Sequence, residues 1–184
     1  MKKLTAMVGA LLVVGFGLVA WAADVESGLK VGDSPAPYNV KDVTGPNAGK
    51  SLCYRCNYGG RPVVNIFARE VNDELAKLVS EVDTLVEKNK DKKMAAFVVV
   101  LAEDAEAMAP KLEAMAKKNG VKNVPLTIFD GTSGPGEYNI AKDADVSVMM
   151  WNKSEVKANA SFAKGKLNAA GIKQIVADTT KILN

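Results

Sequence analysis

"SLCYRCNYGGRPVVNIFARE", residues 51–70, carries the only two cysteines of the chain, Cys53 and Cys56, in a C-x-x-C spacing just ahead of an apolar run. Val63, Val64, Ile66 and Phe67 form that run, Asn65 interrupts it and Pro62 opens it. Proline has no ladder donor and is tolerated at the first position of a strand, while near-continuous apolarity marks a strand covered on both faces. The stretch therefore predicts a doubly buried strand, entered through a loop that holds both sulfur atoms.

The pattern continues downstream. Val71, Leu75, Leu78, Val79, Val82, Leu85 and Val86 recur in steps of three and four, with lysines and acids between them, which predicts a long amphipathic helix ending in "KNKDKK". "MAAFVVVLA" reads as a second buried strand. Asp104 is placed to cap the next helix, which has Met108, Leu112 and Met115 on its inner side. Pro110 removes a helical donor, so the main helix is expected from about 110 to 119, stopped at Gly120. "VKNVPLTIFDG" gives a third strand, and "DVSVMMWNKSEVKANASFAKG" two strands joined by a tight turn at 152–155. Asn168 is placed to cap a terminal helix with Ile172, Ile175, Val176 and Ile182 inward, and short extended pieces are expected around 38–43.

The first 22 residues have the make-up of a secretory signal peptide: Lys2 and Lys3, an apolar stretch from Leu4 to Val19, and small residues at Ala20 and Ala22. Gly9, Gly15 and Gly17 together with the A-x-A end favour cleavage over retention as a membrane anchor, and no cysteine follows to carry a lipid. A single domain is expected over 23–184, without a stable membrane anchor after cleavage, in the periplasm or outside the cell. Removing the two leader lysines from the 24 basic residues leaves 22 against 21 acidic ones. The lysines alternate with acids along helical faces, so no nucleic-acid partner is expected. Export places the cysteines in an oxidising compartment, where a disulfide is the default. The chain has no histidine, which excludes His-dependent triads and ordinary zinc sites; neither a cofactor nor a resident metal is expected.

The element order, with Val124-Pro125 ahead of the third strand, resembles the thioredoxin fold. It is closest to its redoxin branch of exported thioredoxin-like proteins and peroxiredoxins. "VGDSPAPYNVKDVTGPNAGKSL" (31–52) is similar to that branch's lead-in and hairpin, "GRPVVNIFARE" to its central strand and "NVPLTIFD" to its cis-proline strand. The likeness runs over about 31–183 and implies an α/β fold, a central mixed sheet flanked by helices, with an N-terminal extension. It further implies a cis Pro125, with the Val124 backbone open for substrate beside the functional end of the sheet. In the family the redox pair follows the central strand and opens the long helix; here that corner reads Ala68-Arg69-Glu70-Val71 and holds no thiol.

Three readings of Cys53 and Cys56 stay open. In the first they form a relocated redox disulfide that exchanges with another exported thiol or disulfide protein. By analogy Cys53 attacks and Cys56 resolves; Arg55 and Arg61 stabilise a thiolate, and Tyr54 and Tyr58 form a recognition surface. In the second the bond is a staple in a binding or scaffolding domain. In the third the two thiolates hold Cu(I), aided by Met149 or Met150. Elsewhere, Arg69 and Glu70 are expected as an exposed pair, and Trp151 and Tyr138 as core. The 130–139 loop "DGTSGPGEYN" is expected to be flexible, near the Pro125 pole. Asn152-Lys153-Ser154 and Asn159-Ala160-Ser161 match the glycosylation pattern.

Overall fold

The computed structural model describes residues 25–184; the expected signal peptide lies outside the described residues. A seven-stranded mixed sheet runs through the domain in the order β2-β1-β5-β4-β3-β6-β7. Its strands are β1 (Val40–Asp42), β2 (Ser51–Leu52), β3 (Val63–Ala68), β4 (Ala95–Ala102), β5 (Leu126–Asp130), β6 (Ala144–Asn152) and β7 (Glu155–Ala163). β3, β4 and β5 are mutually parallel, whereas β6 runs antiparallel to β3 with Val63 opposite Trp151 and Ala68 opposite Val146. Every residue of β3 and β4 is buried, as their unbroken apolar sequences require.

Alternation along these strands sends side chains to two separate cores. One face takes Val64, Ile66, Val98, Val148 and Met150 and packs against α2 (Asp73–Lys88), α3 (Ala105–Asn119), α4 (Ala169–Asp178) and α5 (Thr180–Leu183). On the other face lie Val63, Phe67, Phe97, Met149 and Trp151, with Tyr38, Tyr54, Tyr138 and Leu29 closing over them. Among the described residues only a five-residue helix, α1 (Tyr54–Tyr58), and a 3-10 turn at Gly136–Tyr138 supply helical cover there. Asn65 points into this second core, where Tyr38 donates its hydroxyl to Asn65 Oδ1 at 2.8 Å.

α3 and α4 start at the caps the sequence places, Asp104 and Asn168, and α2 starts at a cap that sequence reasoning passed over, Asn72. Asn72 accepts the Leu75 N–H at 2.9 Å, Asp104 that of Ala107 at 2.9 Å, and Asn168 those of Ala170 and Gly171 at 3.0 Å. Two expectations are corrected. α3 begins at Ala105 and runs through Pro110; the carbonyl that loses its donor belongs to Glu106, which is exposed and solvated. The terminal helix breaks at Thr179, which caps the short α5, and Val176 is only half-buried. No helix among the described residues is long and apolar enough to cross a membrane.

Both glycosylation patterns are structurally committed. The Asn159 amide donates to Ser27 and Leu29 carbonyls at 2.8 and 2.7 Å, tying the leading segment to β7, and Asn152 donates to Ile182 at 2.8 Å.

The β6–β7 turn has two central residues, Lys153 and Ser154, at φ of 54° and 63°. This is the twist-matched hairpin geometry that glycine and asparagine adopt at least cost. Ser154→Gly is expected to stabilise the protein by about 0.5–1 kcal/mol after the entropy glycine adds to the unfolded chain. A thermal melt should show Tm rising by about 1–4 °C.

Candidate functional site

Cys53 and Cys56 are bonded to each other, with Cα atoms 5.2 Å apart. Cys53 is the N-cap of α1, and its Sγ accepts the Cys56 N–H at 3.0 Å. Cys56 is exposed and Cys53 half-buried. The helix that carries them is held down by its tyrosines. Tyr54 stacks on Phe97 with ring centroids 5.5 Å apart, and Tyr58 meets the same ring edge-on at 6.0 Å.

Tyr54 has a polar anchor as well. Its hydroxyl donates to Asp42 Oδ2 at 2.8 Å, and the Asp42 carboxylate also accepts the N–H groups of Gly45 and Asn47, each at 2.8 Å. Gly45 is required beside this knot, because a Cβ there would overlap the Tyr54 hydroxyl and both Asp42 oxygens. Burial, then the bond to Asp42, holds the Tyr54 phenol well above its ordinary range, and burial pushes Tyr58 up to about 12, with Arg61 opposing. Both stay neutral phenols in ordinary buffers. They pack α1 onto the sheet, so the expected aromatic recognition surface is turned inward.

The two arginines are also engaged. Arg55 donates through Nε to the Pro35 carbonyl at 2.8 Å. Arg61 donates to Lys93 O at 2.8 Å and lies over the Tyr58 ring at 5.3 Å. Met149 and Met150 are fully buried on opposite faces, and the Met149 sulfur accepts the Leu29 N–H at 3.3 Å. Neither thioether is exposed beside the cysteine pair, so the Cu(I) reading loses its helper ligands.

Val124-Pro125 is not an open substrate edge. The described chain has no cis peptide bond, so Pro125 is trans, and its carbonyl takes the Val98 N–H at 2.9 Å as it leads into β5. Asp83 of α2 fixes the approach: Oδ1 accepts the N–H groups of Lys122, Asn123 and Val124, the last at 3.0 Å. Val124 is 2% exposed, its N–H is spent, and its side chain belongs to the core under α2 and α3. The cysteine helix packs on the other face, so the sheet stands between the two expected halves of a site.

The corner after β3 is bounded by β6, whose start faces the end of β3. Arg69 donates its backbone N–H to Asp145 O at 2.9 Å and its guanidinium to the carbonyls of Thr132, Ala141 and Ala144. Glu70 pairs with Lys164. The expected Arg69–Glu70 pair is thus replaced by a stitch and a separate bridge. The stitch ties down the 130–139 loop, in which Gly134, Pro135 and Tyr138 are buried and the Tyr138 hydroxyl donates to Ala36 O at 2.8 Å. Leaving the far end of β5, that loop is set apart from Pro125 by the whole strand.

Sequence reasoning passed over α1, Asp42 and Asp145. Asp145 is 8% exposed; burial first, and the neighbouring Glu70 charge second, hold its carboxyl above the usual aspartate range. The available signal was a lone acid at the head of the apolar run "ADVSVMMW".

No protein-family model and no curated protein matches the chain. Solved structures do. A protein of Bacteroides thetaiotaomicron proposed to be a disulfide isomerase superposes with a TM-score of 0.64 at 17% identity, over 86% of this chain and 94% of that one. A proposed thiol:disulfide interchange protein, DsbE, of Chlorobium tepidum gives 0.63 at 11% identity over 85% and 99%. Peroxidoxin BcpB of Mycobacterium tuberculosis gives 0.59 at 16% identity over 84% and 98%. The chain has the thioredoxin-like fold of the redoxins, with its cysteine pair on the short helix ahead of the central strand rather than on the long helix behind it.

Proposed function

We propose that the protein is an exported thiol-disulfide exchanger that acts on another exported thiol or disulfide protein through Cys53 and Cys56. The observation that carries this reading is the asymmetry of the bond: Cys56 Sγ belongs to an exposed residue, while Cys53 Sγ is half-buried and receives the Cys56 N–H. Exposure decides which sulfur an incoming thiolate reaches, and a hydrogen bond to the departing sulfur stabilises it as a thiolate. A partner thiolate attacks Cys56, a partner–Cys56 disulfide forms, and the Cys53–Cys56 bond breaks with its electron pair leaving on Cys53. A second partner thiolate then displaces Cys56, so the partner leaves oxidised and the protein holds two thiols. The reverse sequence reduces a partner, and the two potentials set the direction. In this scheme Cys56 carries the mixed disulfide and Cys53 resolves it, which exchanges the roles that analogy assigns from chain order.

A structural staple is the competing reading, favoured by the anchoring of Tyr54 inside the ring. Chain entropy makes closing so short a loop worth about 2 kcal/mol.

Three measurements separate the readings. Equilibration with glutathione should return a potential between about −270 and −120 mV, the span of dedicated exchangers; a value below about −300 mV marks a staple and removes the proposal. Cys53→Ser should trap partner thiols on Cys56, and Cys56→Ser should trap far fewer; equal trapping would refute the assigned order. Tyr54→Phe removes one of three donors from the Asp42 carboxylate, which should cost about 1–3 kcal/mol in a denaturant titration. Loosening α1 should also make the disulfide easier to reduce, so the potential moves in the positive direction.

A further inference from the structure

On the helical face, remote from the disulfide, a cavity of about 780 Å³ opens between the first turns of α2, the start of β6 and α4. Its apolar wall is built by Val146, Leu167, Ile172 and Val176. Asp145, a largely buried residue, lines it too. Its carboxylate has no hydrogen bond or ion pair among the described residues. The two cations around it are committed elsewhere: the Arg69 guanidinium to three backbone carbonyls and Lys164 to Glu70.

Asp145 is largely buried while its unpaired carboxylate oxygens keep access to the cavity, so a cation with hydrogen atoms to give can reach them from that side. Among the lining residues Glu74 and Glu81 balance Lys77 and Lys173, which leaves Asp145 as the net charge of the lining; Arg69 and Lys164 lie behind it, outside the lining. Two helix starts also border the cavity, at Asn72 and Asn168, and a helix start favours an anion. Here the cap side chains already occupy the Leu75, Ala170 and Gly171 N–H groups, and the side chain within the cavity is an acid. The volume lies in the range of pockets that enclose small organic molecules.

We propose that this cavity binds a small amphipathic organic amine, with its ammonium group on the Asp145 carboxylate and its hydrocarbon body against Val146, Leu167, Ile172 and Val176. The site is independent of the cysteine pair, since it opens on the opposite face of the sheet. Burial and Glu70 raise the Asp145 pKa above the usual aspartate range, with Lys164 and Arg69 opposing, and a ligand cation would act in the same sense as those two.

Isothermal titration calorimetry at neutral pH with phenethylamine, 2-phenylethanol and phenylacetate tests it, since the three share a body and differ in charge. Phenethylamine should bind more than about tenfold tighter than the alcohol, the size expected of one buried charged hydrogen bond, and phenylacetate weakest. Asp145→Asn keeps the backbone carbonyl that receives Arg69; it should bring the amine down to the affinity of the alcohol while leaving the alcohol unchanged. Ile172→Trp, which fills the cavity, should abolish all three. A flat ranking, tighter binding of phenylacetate, or no binding of the amine at millimolar concentration overturns the proposal. The ranking on the unaltered protein decides the matter even if a variant fails to fold.

Discussion

β3 and β4 are buried from end to end, and a sheet buried on both faces must be covered twice. The two covers are made of different material. Four helices close one face, and their stripes of leucine, isoleucine and valine match the aliphatic residues beneath them. Over the other face, among the described residues, lie only the leading segment, α1 and the loop after β5, too little helix to present a continuous stripe. Ring side chains make up the difference: Tyr38, Tyr54, Tyr58 and Tyr138 lie over Phe67 and Phe97, with Tyr38 and Tyr138 at 4.8 Å edge-to-face. Rings cover more area per residue than aliphatic chains, and their hydroxyls can satisfy polar groups at the edge of the layer. Tyr54 does so for Asp42, Tyr138 for Ala36 and Tyr38 for Asn65.

The thin cover explains where the cysteines are and what the bond does for them. A five-residue helix is far below the length at which helices persist unaided. α1 persists because Cys53 caps it, the disulfide ties its first turn to the cap, and Tyr54 pins it to Phe97 and Asp42. At the corner after β3 the hold is polar instead. Arg69 gives its guanidinium and its N–H to carbonyls of the β5–β6 connection, so the segment leading into the long helix is clasped by backbone.

Much of the architecture was legible because it rests on periodicity. The runs at 63–67 and 95–102 and the three-four spacing from 71 to 86 each state burial directly, and Asp104 and Asn168 are local capping signals. Contacts between distant segments left no such trace. Nothing near Val124 announces that Asp83, forty-one positions earlier, takes its N–H, nor does the glycine-rich 130–139 loop show that Arg69 fastens it. Pro125 is where the resemblance and the structure part: Pro125 leads into β5, whereas the strand paired antiparallel with β3 is β6, which begins at Ala144 and Asp145. The helix α1 was missed because five residues cannot display a period.

The separation of the two cores also limits how events on the two sides communicate. Successive residues of β3, and of β6 beyond the bulge at Asp145, point to opposite faces, so Met149 and Met150 are neighbours in the chain and members of different cores. A change at the disulfide acts first on α1 and the rings under it; to reach the cavity beside Asp145 it would have to displace strands bonded on both edges. A sheet with its central strands fully paired resists that displacement, because each shift breaks a ladder on two sides at once. A disturbance confined to the Cys53–Cys56 bond is therefore felt first in the aromatic layer, with the paired sheet standing between it and the helical face.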